Sequence, residues 1–271
     1  MEERLKIAIL NPAGNVTAIV LSEISPQRRA ALAERLLSLP ELHIEQAAFL
    51  APPQLGGEIR LEMMGGEFCG NALRCAGYFQ VLCRAEQGKC CVMAEISGAP
   101  GVLPVMVDTA QNMASTTMPL PVSVETLVWP ETAVHRVAFD GITHYVIDRA
   151  EPDDALVQRA IQDAGACPAV GAIFLNRATG AIRPIVYVRE TGSCVAETSC
   201  ASGSTAAAVV LSSDLRDGIT EIGVGQPGGD LEVGVRKESG QVTGLSIGGP
   251  VRLEQIIELR IPDEASACPQ G

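Results

Sequence analysis

The sequence has little positive charge and no long apolar stretch. Lys and Arg together number 20 against 32 Asp and Glu, so the formal net charge is −12 at pH 7. Such an acidic chain is not typical of proteins that bind nucleic acids or anionic membranes. No apolar run approaches the roughly 18 residues of a membrane-spanning helix, and the N-terminal MEERLKIAILN lacks a signal-peptide pattern. We therefore expect a cytoplasmic protein with small-molecule partners and no nucleic-acid or membrane partner.

Metal-ligand and disulfide patterns are also lacking. None of the three histidines, His43, His135 and His144, clusters with a cysteine in the sequence. The nine cysteines include no Cys-x-x-Cys pair and form no regular framework, so we expect free thiols and no zinc site. No lysine stands in a context typical of a pyridoxal phosphate Schiff base. The sequence thus predicts an activity that needs no cofactor.

Length and composition are otherwise those of a globular protein. The chain of 271 residues can form one large core or two domains of roughly 130 residues each. A hydrophobic fraction of 47%, with 27 Gly and 17 Pro, fits a turn-rich α/β or α+β protein. Composition alone does not choose between these two classes.

One short segment, GGEFCGNALRCAG (65–77), has a cysteine at a predicted helix start. Cys69 is followed by Gly70 and Asn71 and then by residues that predict a buried helix. The free N–H groups and the positive dipole end of a helix start favour an anion, and they can lower the pKa of a thiol from about 8.5 to roughly 3.5–7.5. Cys69 is therefore a candidate base or nucleophile, although a free cysteine is more often a small buried hydrophobic residue.

The same arrangement returns later, in ETSCASGSTAAA (197–208). Here Cys200 precedes an alanine-rich predicted helix. Other segments also repeat in the same order, since a glycine turn, a strand-like run and an amphipathic helix begin each half of the chain. A short inserted loop at 189–196 precedes the second cysteine. We predict two halves, 1–120 with Cys69 and 121–262 with Cys200, and a flexible tail at 263–271.

Two thiols at two helix starts suggest a specific chemistry. If the halves pack face to face, both helix starts point into one cleft, and ligands prefer such junctions. An amino-acid carboxylate could accept backbone N–H bonds from the two helix starts, which leaves its Cα between two sulfur atoms. One thiolate would then remove the α-proton while the opposite thiol returns a proton to the other face. This reaction is a racemisation by two bases.

Three motifs, NPAGN (11–15), GGEFCGNALRC (65–75) and ETSCASGS (197–204), together resemble the cofactor-independent diaminopimelate epimerase family. The resemblance covers nearly the whole chain. It implies an α+β fold of two pseudosymmetric α/β domains, each a sheet or barrel around a central helix, with the active site in the cleft between them. It also implies that Cys69 and Cys200 are the two catalytic bases.

The same resemblance implies a set of substrate-binding residues. The pairs that hold the substrate carboxylate in that family map onto Gly70 with Asn71 and onto Ala201 with Ser202. The asparagine of the early Gly-Asn motif maps onto Asn15. Ala201 replaces the glycine that is usual after the second cysteine, and this change keeps the backbone N–H.

The chain departs from that family in its recognition of a second amino-acid head group. Diaminopimelate epimerases have a Glu-Arg-Gly segment before the second cysteine, whereas RETGSCVAETSC (189–200) has no Glu-Arg pair and Arg189 is out of register. Segments such as EQAAF (45–49), THYVI (143–147) and GQPGG (225–229) more closely resemble the histidine racemases that supply D-histidine for opine-type metallophores. The expected reaction is therefore the interconversion of L-histidine and D-histidine.

Several further residues have two interpretations each. Glu45 stands where this resemblance puts the side-chain pocket, and its carboxylate could accept a hydrogen bond from an imidazole N–H or be a solvated loop acid. His144 or Tyr145 could line the cleft or pack within a strand. The turn at 226–229 could contact the ligand or only join two strands.

Other functions also fit parts of the sequence. Diaminopimelate epimerisation and racemisation of another amino acid are alternatives within the same mechanism. An amino-acid-binding protein without enzymatic activity would use the helix-start anion site but would not need two thiols. Proton-shift isomerases of this fold, as in phenazine biosynthesis, use carboxylates in place of the cysteines, so the cysteine pair argues against them. The sequence is compatible with a homodimer.

Overall fold

The computed structural model describes residues 2–130 and 132–262, which form a mixed α+β structure with two sheets. The strands are β1 (Glu2–Asn11), β2 (Thr17–Val20), β3 (Gln46–Ala51), β4 (Ile59–Met63), β5 (Lys89–Ile96), β6 (Leu103–Asp108), β7 (Met113–Thr117), β8 (Ser123–Trp129), β9 (Thr132–Phe139), β10 (Ile142–Ile147), β11 (Ala169–Asn176), β12 (Ala181–Val188), β13 (Ser193–Ala196), β14 (Gly218–Gln226), β15 (Gly229–Glu238), β16 (Gln241–Pro250) and β17 (Arg252–Pro262). The helices are α1 (Pro26–Leu37), α2 (Gly70–Cys83), α3 (Asp154–Asp163) and α4 (Ala201–Leu211), with a short 3₁₀ helix at Pro40–Leu42.

The two sheets contain the same run of four strands. The larger sheet has the order β14-β15-β16-β7-β6-β5-β4-β3-β2-β1-β17, and the smaller has β13-β12-β11-β10-β9-β8. The run β4-β3-β2-β1 matches β12-β11-β10-β9, and in each run one pair is parallel, β2 with β3 and β10 with β11. Parallel neighbours need a crossover connection, and α1 and α3 supply it. The segments that repeat in the sequence therefore occupy corresponding positions in the two sheets.

Helices α2 and α4, each of which follows a candidate cysteine, are buried inside the molecule. Every residue from Gly70 to Phe79 of α2 is buried, and α2 packs on β4, β5, β6 and β7. The alanine-rich α4 packs on β10, β15 and β16. Helix α4 is apolar or small on all sides and requires such an environment, so its composition predicts its central position.

The two crossover helices begin differently from one another. Pro26 opens α1 as its sequence predicts, because a proline at the first helical position loses no intrahelical hydrogen bond. Pro152 precedes α3 but does not open it, because the helix begins two residues later. The Asp153 side chain accepts hydrogen bonds from the N–H groups of Ala155 and Leu156, so it caps a helix that begins at Asp154.

The predicted inserted loop contains a strand. Residues Ser193–Ala196 form β13, which pairs antiparallel with β12 across a turn where Gly192 has a φ of 66°. All four residues are exposed, so no burial pattern marks the strand in the sequence. Backbone hydrogen bonds to β12 stabilise it instead.

The C-terminal half of the chain contributes strands to both sheets. The predicted boundary at 120 falls between β7 of the larger sheet and β8 of the smaller one, and strands β14 to β17 return to the larger sheet. The tail predicted at 263–271 lies outside the described residues. Within the described part of the chain, no helix is both long and apolar enough to cross a membrane.

Candidate active site

The starts of α2 and α4 adjoin each other. A Cβ atom placed on Gly70 would lie 3.4 Å from the Cβ of Ala201 and 2.7 Å from the Sδ of Met118. The side-chain amide of Asn71 donates a hydrogen bond to the Ser199 hydroxyl, 3.4 Å away. Glycine at position 70 thus permits the close approach of two helix starts, each of which is preceded by a cysteine.

Cys69 caps α2 and contacts a neutral amide. Its Sγ accepts a hydrogen bond from the N–H of Ala72 at 3.5 Å and donates to Oε1 of Gln46 at 3.2 Å. Gln46 is itself buried, and its Nε2 donates to the Thr17 hydroxyl at 2.7 Å. Burial, with a smaller contribution from the Glu67 carboxylate, raises the pKa of Cys69 to about 11. The thiol form is therefore favoured at neutral pH.

Cys200 caps α4 and has more polar surroundings. Its Sγ accepts a hydrogen bond from the N–H of Gly203 at 3.3 Å and lies 3.7 Å from the Ser202 hydroxyl. Its backbone N–H donates to Oε1 of Gln226 at 2.7 Å. Burial and then the hydrogen-bonded Glu197 carboxylate raise the pKa of Cys200 well above its ordinary value.

The expected lowering of the thiol pKa values at the helix starts is wrong. Each Sγ does accept a backbone N–H bond from the first turn, which favours a thiolate. Cys200 is only 4% exposed, however, and loss of water disfavours the charged form more strongly. Both thiols are therefore protonated at neutral pH, and a base must remove one proton before either can act as a base.

His144 contacts Ser202, two residues after Cys200, whereas Tyr145 points elsewhere. The Nε2 of His144 lies 2.9 Å from the Ser202 hydroxyl, and burial lowers the pKa of the imidazole to about 3. The imidazole is therefore neutral at physiological pH and can orient the Ser202 hydroxyl. Tyr145, its neighbour on β10, donates instead to Asp163 at 2.7 Å and stacks on Trp129 in the core.

Asn15, Glu45 and Thr198 form one hydrogen-bonded group. The Thr198 hydroxyl donates to the two carboxylate oxygens of half-buried Glu45, at 2.7 and 2.9 Å, and accepts from the N–H of Asn15 at 3.0 Å. Asn15 adopts a left-handed backbone with a φ of 54°. The structure thus joins two predicted substrate-binding residues through a threonine two positions before Cys200.

The turn at 226–229 packs against the early NPAGN segment. The N–H of Gly228 donates to the Thr198 carbonyl at 2.8 Å, and a Cβ placed on Gly228 would lie 2.6 Å from the Cα of Gly14. The turn does more than join β14 to β15, because its Gln226 binds the backbone of Cys200. A side chain at position 14 or 228 would separate the two segments.

Asn71 and Arg189, both considered in the sequence as ligands of a substrate carboxylate, make contacts with the protein itself. The side chain of Asn71 is fully buried and accepts a hydrogen bond from Arg74 at 2.9 Å. Its backbone N–H is therefore the group of Asn71 that could donate to a substrate carboxylate. Arg189 donates to the Cys167 carbonyl at 3.0 Å and lies over the Tyr187 ring.

Sequence reasoning missed Glu197 and Thr198 as site residues. The comparison of the two halves carries a signal for Glu197, because Gly66 stands three residues before Cys69 and Glu197 stands three residues before Cys200. Among the described residues, no group of three or more His, Cys, Asp and Glu side chains has an arrangement that could hold a metal ion.

Residues 4–255 match a family model described as the histidine racemase CntK N-terminal domain. A histidine racemase of Fusobacterium nucleatum subsp. nucleatum is 31% identical to the chain over 259 residues, which cover 90% of this chain and 92% of that protein. A histidine racemase of Staphylococcus aureus is 25% identical over 240 residues, with coverage of 82% and 85%.

Solved structures of related enzymes have the same fold. A hydroxyproline epimerase of Agrobacterium vitis, with bound trans-4-hydroxy-L-proline, superposes with a TM-score of 0.65 at 14% identity and covers 97% of this chain and 94% of its own. A phenazine biosynthesis protein of the PhzF family from Enterococcus faecalis gives a TM-score of 0.62 at 13% identity, with coverage of 95% and 99%. At these identities the likeness concerns the fold. The family model and the histidine racemase of Fusobacterium nucleatum, by contrast, match this chain in sequence over most of its length. This chain therefore belongs to the histidine racemase family and is a racemase, an isomerase by class.

Proposed function

We propose that the protein interconverts L-histidine and D-histidine without a cofactor, and that Cys69 and Cys200 are the two bases. The observation that carries the proposal is the pair of cysteines that cap adjoining helix starts. The corresponding strand runs of the two sheets support a diaminopimelate epimerase-like fold of two pseudosymmetric domains, 1–120 and 121–262, with the active site in the cleft between them.

In this proposal the substrate carboxylate binds at the two helix starts. Backbone N–H groups of Gly70, Asn71, Ala201 and Ser202 have no earlier turn to pair with and can donate to an anion. The same groups stabilise the charge that grows on the carboxylate when the α-proton leaves. The thiols on either side of the Cα then remove and return protons without help from pyridoxal phosphate or a metal.

The proposed substrate is histidine because of the relatives and the acidic pocket. Two of the related proteins are histidine racemases. Glu45 and Glu197 interact electrostatically near Cys200, so a side chain that donates a hydrogen bond is favoured there and a second carboxylate is repelled. Asn15 and Glu45, joined by Thr198, are the proposed contacts for the substrate beyond its carboxylate. In this proposal the protein acts in the cytoplasm as a homodimer. The D-histidine that it forms would supply metallophore biosynthesis.

The test is a panel of L-amino acids incubated with the protein in deuterated water. Loss of the Cα proton signal reports both activity and substrate. We expect histidine to exchange fastest, and we expect Cys69→Ser and Cys200→Ser to abolish racemisation while exposed Cys194→Ser does not. Faster exchange of diaminopimelate or another amino acid would reassign the substrate. Binding of histidine without exchange would instead indicate an amino-acid-binding protein.

A further inference from the structure

The two thiols differ in the residue that each contacts. The Glu197 carboxylate, three residues before Cys200 at the same helix start, interacts with the Cys200 thiol, whereas Cys69 donates to the neutral amide of Gln46. Gly66 stands at the position before Cys69 that corresponds to Glu197. Glu67 acts on Cys69 only through its charge, so among the described residues the second thiol is the one with a carboxylate placed to accept its proton directly.

Glu197 is held between β13 and the start of α4 in a partly buried position. Its backbone N–H donates to the Pro184 carbonyl at 3.0 Å, which fixes the segment against β12. The titratable groups that face its carboxylate are the Cys200 thiol and, from the segment before β3, the Glu45 carboxylate. Burial, together with repulsion from Glu45 and against the hydrogen bond from Cys200, raises the pKa of Glu197 to about 7. This carboxyl group can therefore gain and lose a proton near neutral pH.

We propose that Glu197 is the proton acceptor that converts Cys200 from thiol to thiolate, so that Cys200 and Glu197 act as one unit and Cys69 acts alone. The inference rests on the proposed two-thiol mechanism.

Cys69, Cys200 and Glu197 together hold two protons, both in the resting form and in the product state. In the resting form both thiols are protonated and Glu197 is ionised. The Cys200 S–H bond breaks and a Glu197 O–H bond forms, after which the thiolate takes the Cα proton while Cys69 gives its proton to the opposite face. The product state holds a Cys69 thiolate, a Cys200 thiol and a protonated Glu197. Transfer of the Glu197 proton to Cys69 through water restores the resting form, and the reverse reaction begins from the product state.

If Glu197 is protonated while both thiols are also protonated, the reaction cannot begin, because no group can then accept the Cys200 proton. The active fraction therefore increases as the pH rises through about 7, the pKa of Glu197. Without the carboxylate, Cys200 must ionise at its own raised pKa. The loss caused by Glu197→Gln is then largest near neutral pH and becomes smaller in alkali.

The experiment measures kcat/KM for histidine between pH 6 and pH 10 for the wild type, Glu197→Gln and Glu197→Asp. The wild-type to Gln ratio is used at each pH because titration of the substrate cancels in it. We expect Glu197→Gln to lower kcat/KM by about 10²- to 10⁴-fold at pH 7, the usual contribution of a general base, and the ratio to fall about tenfold per pH unit above pH 7. Exposed Glu190→Gln, in the same segment, is the matched control and should leave the profile unchanged.

Glu197→Asp keeps an acceptor carboxylate at a longer distance. Its kcat/KM should therefore be lower than that of the wild type but should still rise with pH on the acidic side of the profile, which is the acidic limb. A loss in Glu197→Gln that is the same at every pH, or a change in KM alone, would overturn the proposal and indicate a structural or substrate-binding role. An Asp profile without the limb would also overturn it. If the wild type does not exchange the Cα proton of histidine, the proposed substrate fails instead, and the same ratio is measured on whichever amino acid does exchange.

Discussion

The two candidate catalytic thiols illustrate a competition between a helix start and burial. Each sulfur atom accepts an N–H bond from the first turn of its helix, an arrangement that lowers the pKa of exposed cysteines. Here removal from water dominates, and the pKa of both thiols is raised. A group that can hold a proton near neutral pH is therefore needed in the site, and Glu197 has that property.

Replacement of Glu45 tests substrate recognition. We expect Glu45→Ala to reduce kcat/KM for histidine by about 10- to 100-fold, the range for a lost hydrogen bond to a charged group. An apolar amino acid that is weakly accepted should be affected less, since it offers no donor to the carboxylate. Steady-state kinetics with both substrates give the comparison.

The control is Thr198→Val, because Glu45 also holds the Thr198 hydroxyl. If Thr198→Val reproduces the whole effect on histidine, Glu45 acts through the threonine. Unchanged histidine kinetics in Glu45→Ala would show that the pocket lies elsewhere.

Replacement of Glu197 should also change how stability depends on pH. The pKa of Glu197 is raised from 4.5 in the unfolded chain to about 7 in the fold, so the unfolded state releases its proton first as the pH rises. The stability associated with this group is complete below pH 4.5 and is lost as the pH rises through about 7. Relative to the wild type, Glu197→Gln should become progressively more stable across this window and then level off.

Urea denaturation of both proteins at a series of pH values measures this difference, and the contributions of groups that do not interact with Glu197 cancel in it. A difference that is constant with pH would mean that the Glu197 carboxyl group keeps an ordinary pKa in the folded protein.

At the level of secondary structure, one glycine determines how closely α2 packs on the larger sheet. A Cβ atom placed on Gly77 would overlap the Cγ1 of Val105 on β6 and lie 2.6 Å from its Cβ. Alanine favours a helix over glycine by about 1 kcal/mol, whereas overpacking of a core costs about 1–3 kcal/mol. We expect Gly77→Ala to lower the free energy of unfolding by about 1–2 kcal/mol, as measured by urea denaturation.

Gly101→Ala is the matched control, because a Cβ atom there meets nothing within 4 Å. A Gly77→Ala protein that is more stable than the wild type would mean that the helix moves away from β6 without cost, and that helix propensity dominates at this position.

Local sequence signals predict the buried elements well and the exposed ones poorly. The apolar runs that became β3, β11, α2 and α4 are evident because burial selects their composition. The exposed β13 and the start of α3 depend on backbone pairing and on one capping side chain, which leave no periodic pattern. The two cysteines could be found because they repeat, whereas Glu197 is marked only by its difference from Gly66, its counterpart in the first half.

At the scale of the whole molecule, the sheet order could not be predicted from the sequence. Strand β17 pairs with β1, so that Ile7 lies opposite Ile257, and β16 pairs with β7. These pairings join segments from opposite ends of the chain or from different halves, and no local pattern specifies such partners. Their consequence is functional, because the continuous larger sheet fixes β7 and β16 beside the helices that carry the two cysteines.

The proposed mechanism requires two bases that act on opposite faces of one carbon atom. The most direct measurement starts from L-histidine, and separately from D-histidine, in deuterated water and determines the Cα isotope in both enantiomers at low conversion. Removal and delivery by different thiols predicts a product that carries deuterium while the remaining substrate keeps protium, in both directions. Product that retains the substrate's own protium, in either direction, would mean that one base both removes and returns the proton and would contradict the two-thiol mechanism.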